Sequence, residues 1–184
     1  RDLVVTGVQT CALPISHNYG GGGKKSVEEM WDEMLSKKIK IWGVAVDDSH
    51  HFKEEFAPHR HNPGRGWVEV FAKNLSEKNI LESMRNGNFY FSTGVKFKKI
   101  IFNGEKIEIS ISGDYFNKGL SNSLITDSKY TTQLISNDGE IIEEVHGKSV
   151  KFNLIKDSNK YAYFRTKTIS STGSAGWTQP IFFD

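Results

Sequence analysis

Apolar positions along the chain change their period near residue 95, and the change separates two kinds of element. Val27, Met30, Trp31, Met34 and Leu35 recur at i, i+3, i+4, i+7 and i+8, the single stripe of an amphipathic helix with its apolar side in a core. Ser26 and Glu29 stand in capping-box spacing and open that helix. In residues 39–46, Ile41, Trp42, Val44, Ala45 and Val46 are apolar on both faces, which predicts a strand buried under helices, as in a parallel sheet or barrel. Residues 67–72 read as a second strand. Ser76 caps a second helix, with Leu75 and Ile80 placed as a hydrophobic staple. Ile80, Leu81 and Met84 form its expected buried side, and Gly87 sits where a C-terminal cap is needed. Phe89-Tyr90-Phe91 begins another strand, closing at Ser92-Thr93-Gly94. Strand–helix–strand order predicts a parallel crossover.

Beyond Val95 the helical period vanishes. Ile107, Ile109 and Ile111 alternate with polar residues, as do Val150, Phe152 and Leu154. Tyr161, Tyr163 and Arg165 oppose Ala162, Phe164 and Thr166, and Asn137-Asp138-Gly139 is a turn signal between two such runs. Short alternating strands at this spacing predict an antiparallel β-sandwich. The expected fold class is therefore α/β followed by all-β, with the boundary near residues 94–98.

Composition narrows the functional classes. The 184 residues carry 24 basic and 22 acidic side chains, a formal charge of +2, too near neutral for a polyanion-binding module, so no nucleic acid is expected. No run of ~18 apolar residues predicts a membrane span. The single cysteine, Cys11, excludes a disulfide framework and any multi-cysteine zinc site.

Val5-Thr6-Gly7-Val8-Gln9-Thr10-Cys11-Ala12-Leu13-Pro14-Ile15 matches the in-frame translation of a common sequencing adaptor. Residues 1–15 are accordingly set aside from fold reasoning, with a strand and Pro turn as the alternative. Three segments are then expected: 1–15 as artefact, 16–94 as the α/β part and 95–184 as the β part. Gly20 to Gly23 form a loop that lacks the Gly-Lys-Ser/Thr of a phosphate-binding loop, since Gly23 is followed by Lys24-Lys25.

Chemistry concentrates after residues 39–46. Four of the six histidines lie between His50 and His61, beside Asp47, Asp48, Glu54 and Glu55. In an extended segment Asp48 and His50, at i and i+2, point to one side. A hard carboxylate oxygen and an imidazole nitrogen together suit zinc, manganese or iron. The alternative is an N-capping aspartate beside a surface histidine. His51 points the other way and reads as structural, while Asp47 is placed to orient a ligand from behind. His59 and His61 lie between Pro58 and Pro63 and read as a solvated loop.

Gly43-Val44-Ala45-Val46-Asp47-Asp48-Ser49-His50-His51 resembles the last metal motif of the polymerase and histidinol phosphatase (PHP) superfamily. The resemblance continues through Pro63-Gly64-Arg65-Gly66-Trp67-Val68 and Asn86-Gly87-Asn88-Phe89-Tyr90-Phe91-Ser92-Thr93-Gly94-Val95. It resumes at Ala175-Gly176-Trp177-Thr178-Gln179-Pro180-Ile181-Phe182, similar to the terminal strand of the β domain in one bacterial branch. Trp31-Asp32-Glu33-Met34-Leu35 also fits that branch, which includes relatives of carbaryl hydrolase. The resemblance implies the C-terminal part of a distorted β/α barrel joined to a small sandwich. It further implies two or three divalent ions (Zn, Mn or Fe) in the intact enzyme and a small-molecule phosphoester or related ester as substrate. Asp48 and His50 match the family's final Asp-x-His ligands.

The family's opening His-x-His motif and its further His, Asp and Glu ligands have no counterpart in this sequence. His17-Asn18 stands as a remnant of an upstream strand, and any signal peptide is expected upstream of the given residues. Two ligands do not build a multinuclear site, so a C-terminal fragment with little or no activity of its own is the expectation. The competing reading is a non-catalytic module. Its sandwich recognises carbohydrate or a partner protein through Tyr115, Phe116, Tyr130 or Trp177, unless those rings fill the core.

Overall fold

A computed structural model describes residues 25–46, 49–52, 62–115, 124–154 and 160–182. The first helix is α1 (Val27–Ser36). Its capping box closes in both directions: the Ser26 amide donates to Glu29 Oε2 at 2.6 Å and the Glu29 amide to Ser26 Oγ at 3.2 Å. There follow β1 (Trp67–Val70), α2 (Glu77–Arg85), β2 (Phe89–Ser92), β3 (Val95–Phe102), β4 (Lys106–Tyr115) and β5 (Leu124–Ile125). Then come β6 (Tyr130–Ser136), β7 (Glu140–His146), β8 (Ser149–Asn153), β9 (Tyr163–Ser170), β10 (Ala175–Thr178) and β11 (Ile181–Phe182). The Asn137-Asp138-Gly139 turn joins β6 to β7 as one 3₁₀ turn, with Asp138 in the left-handed region at φ 54°.

The strands form two antiparallel sheets. The longer runs β1-β2-β10-β9-β6-β7, with β11 also pairing β9; in the shorter, β4 pairs β3, β5 and β8. They pack face to face, Tyr90, Leu134 and Phe164 of the long sheet meeting Ile107, Ile109 and Phe152 of the short one. The opposite face of the long sheet is covered by α1 and residues 39–46, through Trp31, Leu35, Ile41 and Ala45.

This architecture overturns the expected α/β fold class. The described residues are mostly antiparallel β structure with two α-helices, and no β/α barrel forms among them. β1 and β2 are antiparallel neighbours, Trp67 opposite Ser92 and Val70 opposite Phe89, so α2 reverses the chain instead of carrying it across in parallel. The Phe71 amide continues that ladder to Asn88 O at 2.9 Å, and Ser83 Oγ ties α2 to Phe71 O at 2.8 Å. Residues 39–46, apolar on both faces and expected as a strand of a parallel sheet or barrel, form no paired strand; they lie over one face of the antiparallel long sheet, with Ile41 and Ala45 packed against Phe91 and Trp177. The long sheet also crosses position 94, since β2 pairs β10.

Smaller expectations change too. Met30 and Met34 are exposed while Trp31 and Leu35 are buried, so α1 uses only part of its stripe. Leu75 is 96% exposed, so no hydrophobic staple forms; Ser83, and not Leu81, is the buried position of α2. Gly87 does terminate α2, at φ 71°, and a Cβ there would lie 2.8 Å from the Trp42 ring. No described helix is long and apolar enough to cross a membrane.

Candidate functional site

Residues 39–46 form neither helix nor paired strand, yet Ile41, Gly43 and Ala45 are buried in alternation with Trp42, Val44 and Val46. That period of two is extended geometry laid over the sheet. Three of its main-chain groups, Ile41 O and both of Gly43, are held by side chains. Gln179 pairs both groups of Gly43: the Gly43 amide donates to Gln179 Oε1 at 2.9 Å and Gln179 Nε2 donates to Gly43 O at 2.7 Å. Trp31 Nε1 donates to Ile41 O at 3.0 Å, and Trp42 Nε1 to Arg85 O at 3.0 Å. Gly43 is required where it stands, because a Cβ would lie 2.5 Å from the Phe91 ring and 3.0 Å from Trp31. Similarly, a Cβ on Gly66 would lie 2.8 Å from Val46 O.

The segment leads directly into the acid–histidine cluster. His50 is exposed and His51 half-buried, and Asn62, itself buried, donates from Nδ2 to His51 O at 2.7 Å. Asp47, Asp48, His17 and Asn18 lie outside the described residues, as do His59, His61 and residues 1–15. The structure thus places one of the two expected metal ligands, His50, with an accessible imidazole beside a fixed main-chain point. Among the described residues, no three or more His, Cys, Asp or Glu side chains group to hold a metal. These residues alone therefore do not complete a metal site, and no reaction step is routed through one.

Two polar constellations went unread in the sequence. The first ties α1 to β9. Arg165, 1% exposed, donates from Nε and Nη2 to the two Asp32 carboxylate oxygens, each at 2.6 Å, and from Nη2 to Glu28 Oε1 at 3.0 Å. Its guanidinium lies 4.9 Å from the Trp31 ring centroid. Glu28 also accepts from Lys167 Nζ at 2.7 Å and Trp177 Nε1 at 3.2 Å, and the Tyr163 hydroxyl sits 2.7 Å from Asp32 Oδ1. Burial raises the Glu28 pKa, but Arg165 and Lys167 outweigh it and hold the carboxyl below its ordinary value. Burial lowers that of Arg165, and Asp32 and Glu28 more than reverse it. Arg165 Nη1 has no hydrogen-bond partner among the described residues. Two acids and two bases balance, so the cluster fastens α1 without a net buried charge. A signal existed: Arg165 occupies a strand position whose alternation demands a core residue, and Glu28 and Asp32 lie at i, i+4 on α1.

The second constellation surrounds Asp114, which is buried at the end of β4. Asp114 Oδ1 accepts from Ser128 Oγ at 2.6 Å and the Tyr130 hydroxyl at 3.1 Å, and Oδ2 from Ser170 Oγ at 2.7 Å and from Thr172 Oγ1. Burial pushes its pKa up, but the four hydroxyls prevail and the carboxyl stays below its usual range. Tyr130, buried beside that charge, is pushed up to about 12. A carboxylate with both oxygens doubly engaged is a joint between sheets, not a free base. Ser92-Thr93-Gly94 is a second joint: Ser92 Oγ lies 2.7 Å from Val95 O, and the Thr93 amide donates to Ala175 O at 2.8 Å.

Of the rings considered for ligand recognition, Tyr130 and Trp177 are buried, and Phe116 lies outside the described residues. Tyr115 is half-buried against the Trp67 ring, at 6.0 Å between centroids, under Lys96. Compared with known proteins, the chain matches no family model, no curated protein and no solved structure.

Proposed function

We propose that this chain is the C-terminal part of a metal-dependent hydrolase with the chemistry of the PHP superfamily, in which Asp48 and His50 bind a divalent ion. What supports the reading is the anchoring of residues 39–46. An apolar segment with no strand partner among the described residues is laid over the sheet by Gln179, Trp31 and Trp42, and it delivers the Asp-x-His sequence at its end. A free-standing loop would need no such fixation. The ligands that complete the coordination come from chain beyond these residues, and the β part serves as the platform. Zinc, manganese or iron are the ions the donor pair suits. When bound, such an ion lowers the pKa of water and stabilises charge on a phosphoester or related ester.

Calorimetric titration of Mn²⁺ and of Zn²⁺ into the chain and into an Asp48→Ala/His50→Ala variant tests this. The expected result is saturable binding that the variant has lost. Equal binding by both proteins would remove the pair as ligands.

A further inference from the structure

Among the described residues, the outer strands of the two sheets are guarded against pairing with another chain, except at one place. On β7, at one end of the long sheet, Glu140, Glu143 and Glu144 are exposed. On β3 the exposed Lys98 and Lys99 accompany register shifts between Lys96 and Phe97 and between Phe97 and Lys99. β8 exposes Ser149, Lys151 and Asn153, and β5 and β11 are short. Charges, bulges and shortness are the usual means of keeping a sheet edge from templating a further strand. β1, at the other end of the long sheet, pairs only β2 and is otherwise apolar. Its one charged residue, Glu69, is neutralised where it stands: Lys96 Nζ donates to Glu69 Oε1 at 2.7 Å and to Oε2 at 2.8 Å. We propose that β1 is a self-association edge, which pairs antiparallel with β1 of a second copy of this chain about a two-fold axis at Glu69. This is independent of the ligand reading above.

The ladder fixes which groups are free. The Phe71 amide donates to Asn88 O on the β2 side, so by antiparallel alternation Trp67 and Glu69 also turn their main-chain groups to β2. Val68 and Val70 turn theirs outward. With the axis at Glu69, Val68 of each copy lies opposite Val70 of the other, and every outward N–H meets an outward C=O. The side chains of Trp67, Glu69 and Phe71 share the face of Tyr90, to which Glu69 is directly opposed. The same register sets Trp67 opposite Phe71 of the second copy, a cross-strand aromatic pair that covers a Phe71 ring left 50% exposed. At the axis the two Glu69 carboxylates bring their Lys96 ammonium groups with them, so the charges alternate in sign and cancel. A partner of strong net charge finds no complement on this edge, whereas the chain complements itself. Such a contact is isologous and closes at two copies, and the guarded edges elsewhere oppose further growth.

Sedimentation of the full chain over a micromolar concentration series tests this. The expected result is a reversible monomer–dimer equilibrium. Val68→Pro removes only an outward N–H, which a free edge strand tolerates. By symmetry two main-chain bonds are lost, and dimer dissociation should rise about tenfold or more. Should Val68→Pro not fold, Glu69→Lys keeps the ladder and gathers like charges at the axis, with the same direction of effect. Ile141→Lys, on the exposed side of β7, should leave the equilibrium unchanged. A parent that stays monomeric throughout would overturn the proposal and leave the edge to another partner. A dimer that survives both folded β1 variants, one that Ile141→Lys dissociates, or growth beyond two copies would overturn it equally.

Discussion

On one face of the long sheet, Tyr90, Leu134 and Phe164 meet the isoleucines and Phe152 of the short sheet; on the other, Tyr163, Arg165 and Trp177 meet α1 and residues 39–46. The first contact is apolar, and its stability scales with area, about 1.5–3 kcal/mol for each fully buried large side chain. The second adds directional bonds to an apolar cluster of Trp31, Leu35, Ile41, Phe91 and Trp177. Arg165 meets Asp32 and Gln179 meets Gly43, groups that are each buried and each costly to leave alone.

Truncations on the two faces should cost similar amounts for different reasons. Asp32→Ala leaves the Arg165 charge buried with only Glu28 beside it, an expected loss of about 3–5 kcal/mol in urea unfolding. An Asp32→Leu/Arg165→Met pair should recover most of that. Phe152→Ala should lose about 3–5 kcal/mol through a cavity, with Phe152→Leu far milder. If Asp32→Ala costs under about 1 kcal/mol, where Arg–carboxylate pairs of little consequence fall, the polar face is not held as described.

Next in size is Gln179→Met, which orphans the Gly43 amide and carbonyl at about 1–3 kcal/mol each. Amide exchange should quicken in residues 41–46 while β4 and β8 stay protected.

A smaller effect separates the joints by pH. Asp114 and Glu28 have folded pKa values below their ordinary ones, so they add stability that is present above about pH 4 and is lost as pH falls through the depressed values. Melting temperature from pH 6 to pH 2 should therefore fall more steeply in the parent than in Asp114→Asn. Ser128→Ala, removing one of four donors, should cost about 0.5–1.5 kcal/mol at neutral pH. Smallest of all is Glu33→Gln on exposed α1. Lys25 and Lys37 hold Glu33 down to about 2, but the group is solvent-screened, and no measurable change in unfolding midpoint is expected.

Much of the strand content was legible from period alone: β4 and β8 alternate as Ile107 to Ile111 and Val150 to Phe152 require. Both helices start at their serine caps. Two inferences failed. Strand–helix–strand order predicted a parallel crossover, yet β1 and β2 pair antiparallel, and two-sided apolarity predicted a strand at residues 39–46 that pairs with no strand. Met30 and Met34 failed for a related reason, since a stripe shows which face is apolar and not how much of it finds a partner. The candidate ligands were legible as residue types, Asp48 and His50, while the contacts that hold residues 39–46 were not. Gln179 and Gly43 are 136 residues apart, and nothing local in Thr178-Gln179-Pro180 marks a side chain that stands in for a strand.

Histidine imidazole NMR during Zn²⁺ addition to the full chain tests the central claim most directly. The account predicts that the His50 ring nitrogen shifts first and saturably, and that Asp48→Ala removes that response while the other five histidines are little changed. A first response at His59 and His61, or a His50 response indifferent to Asp48→Ala, would contradict it.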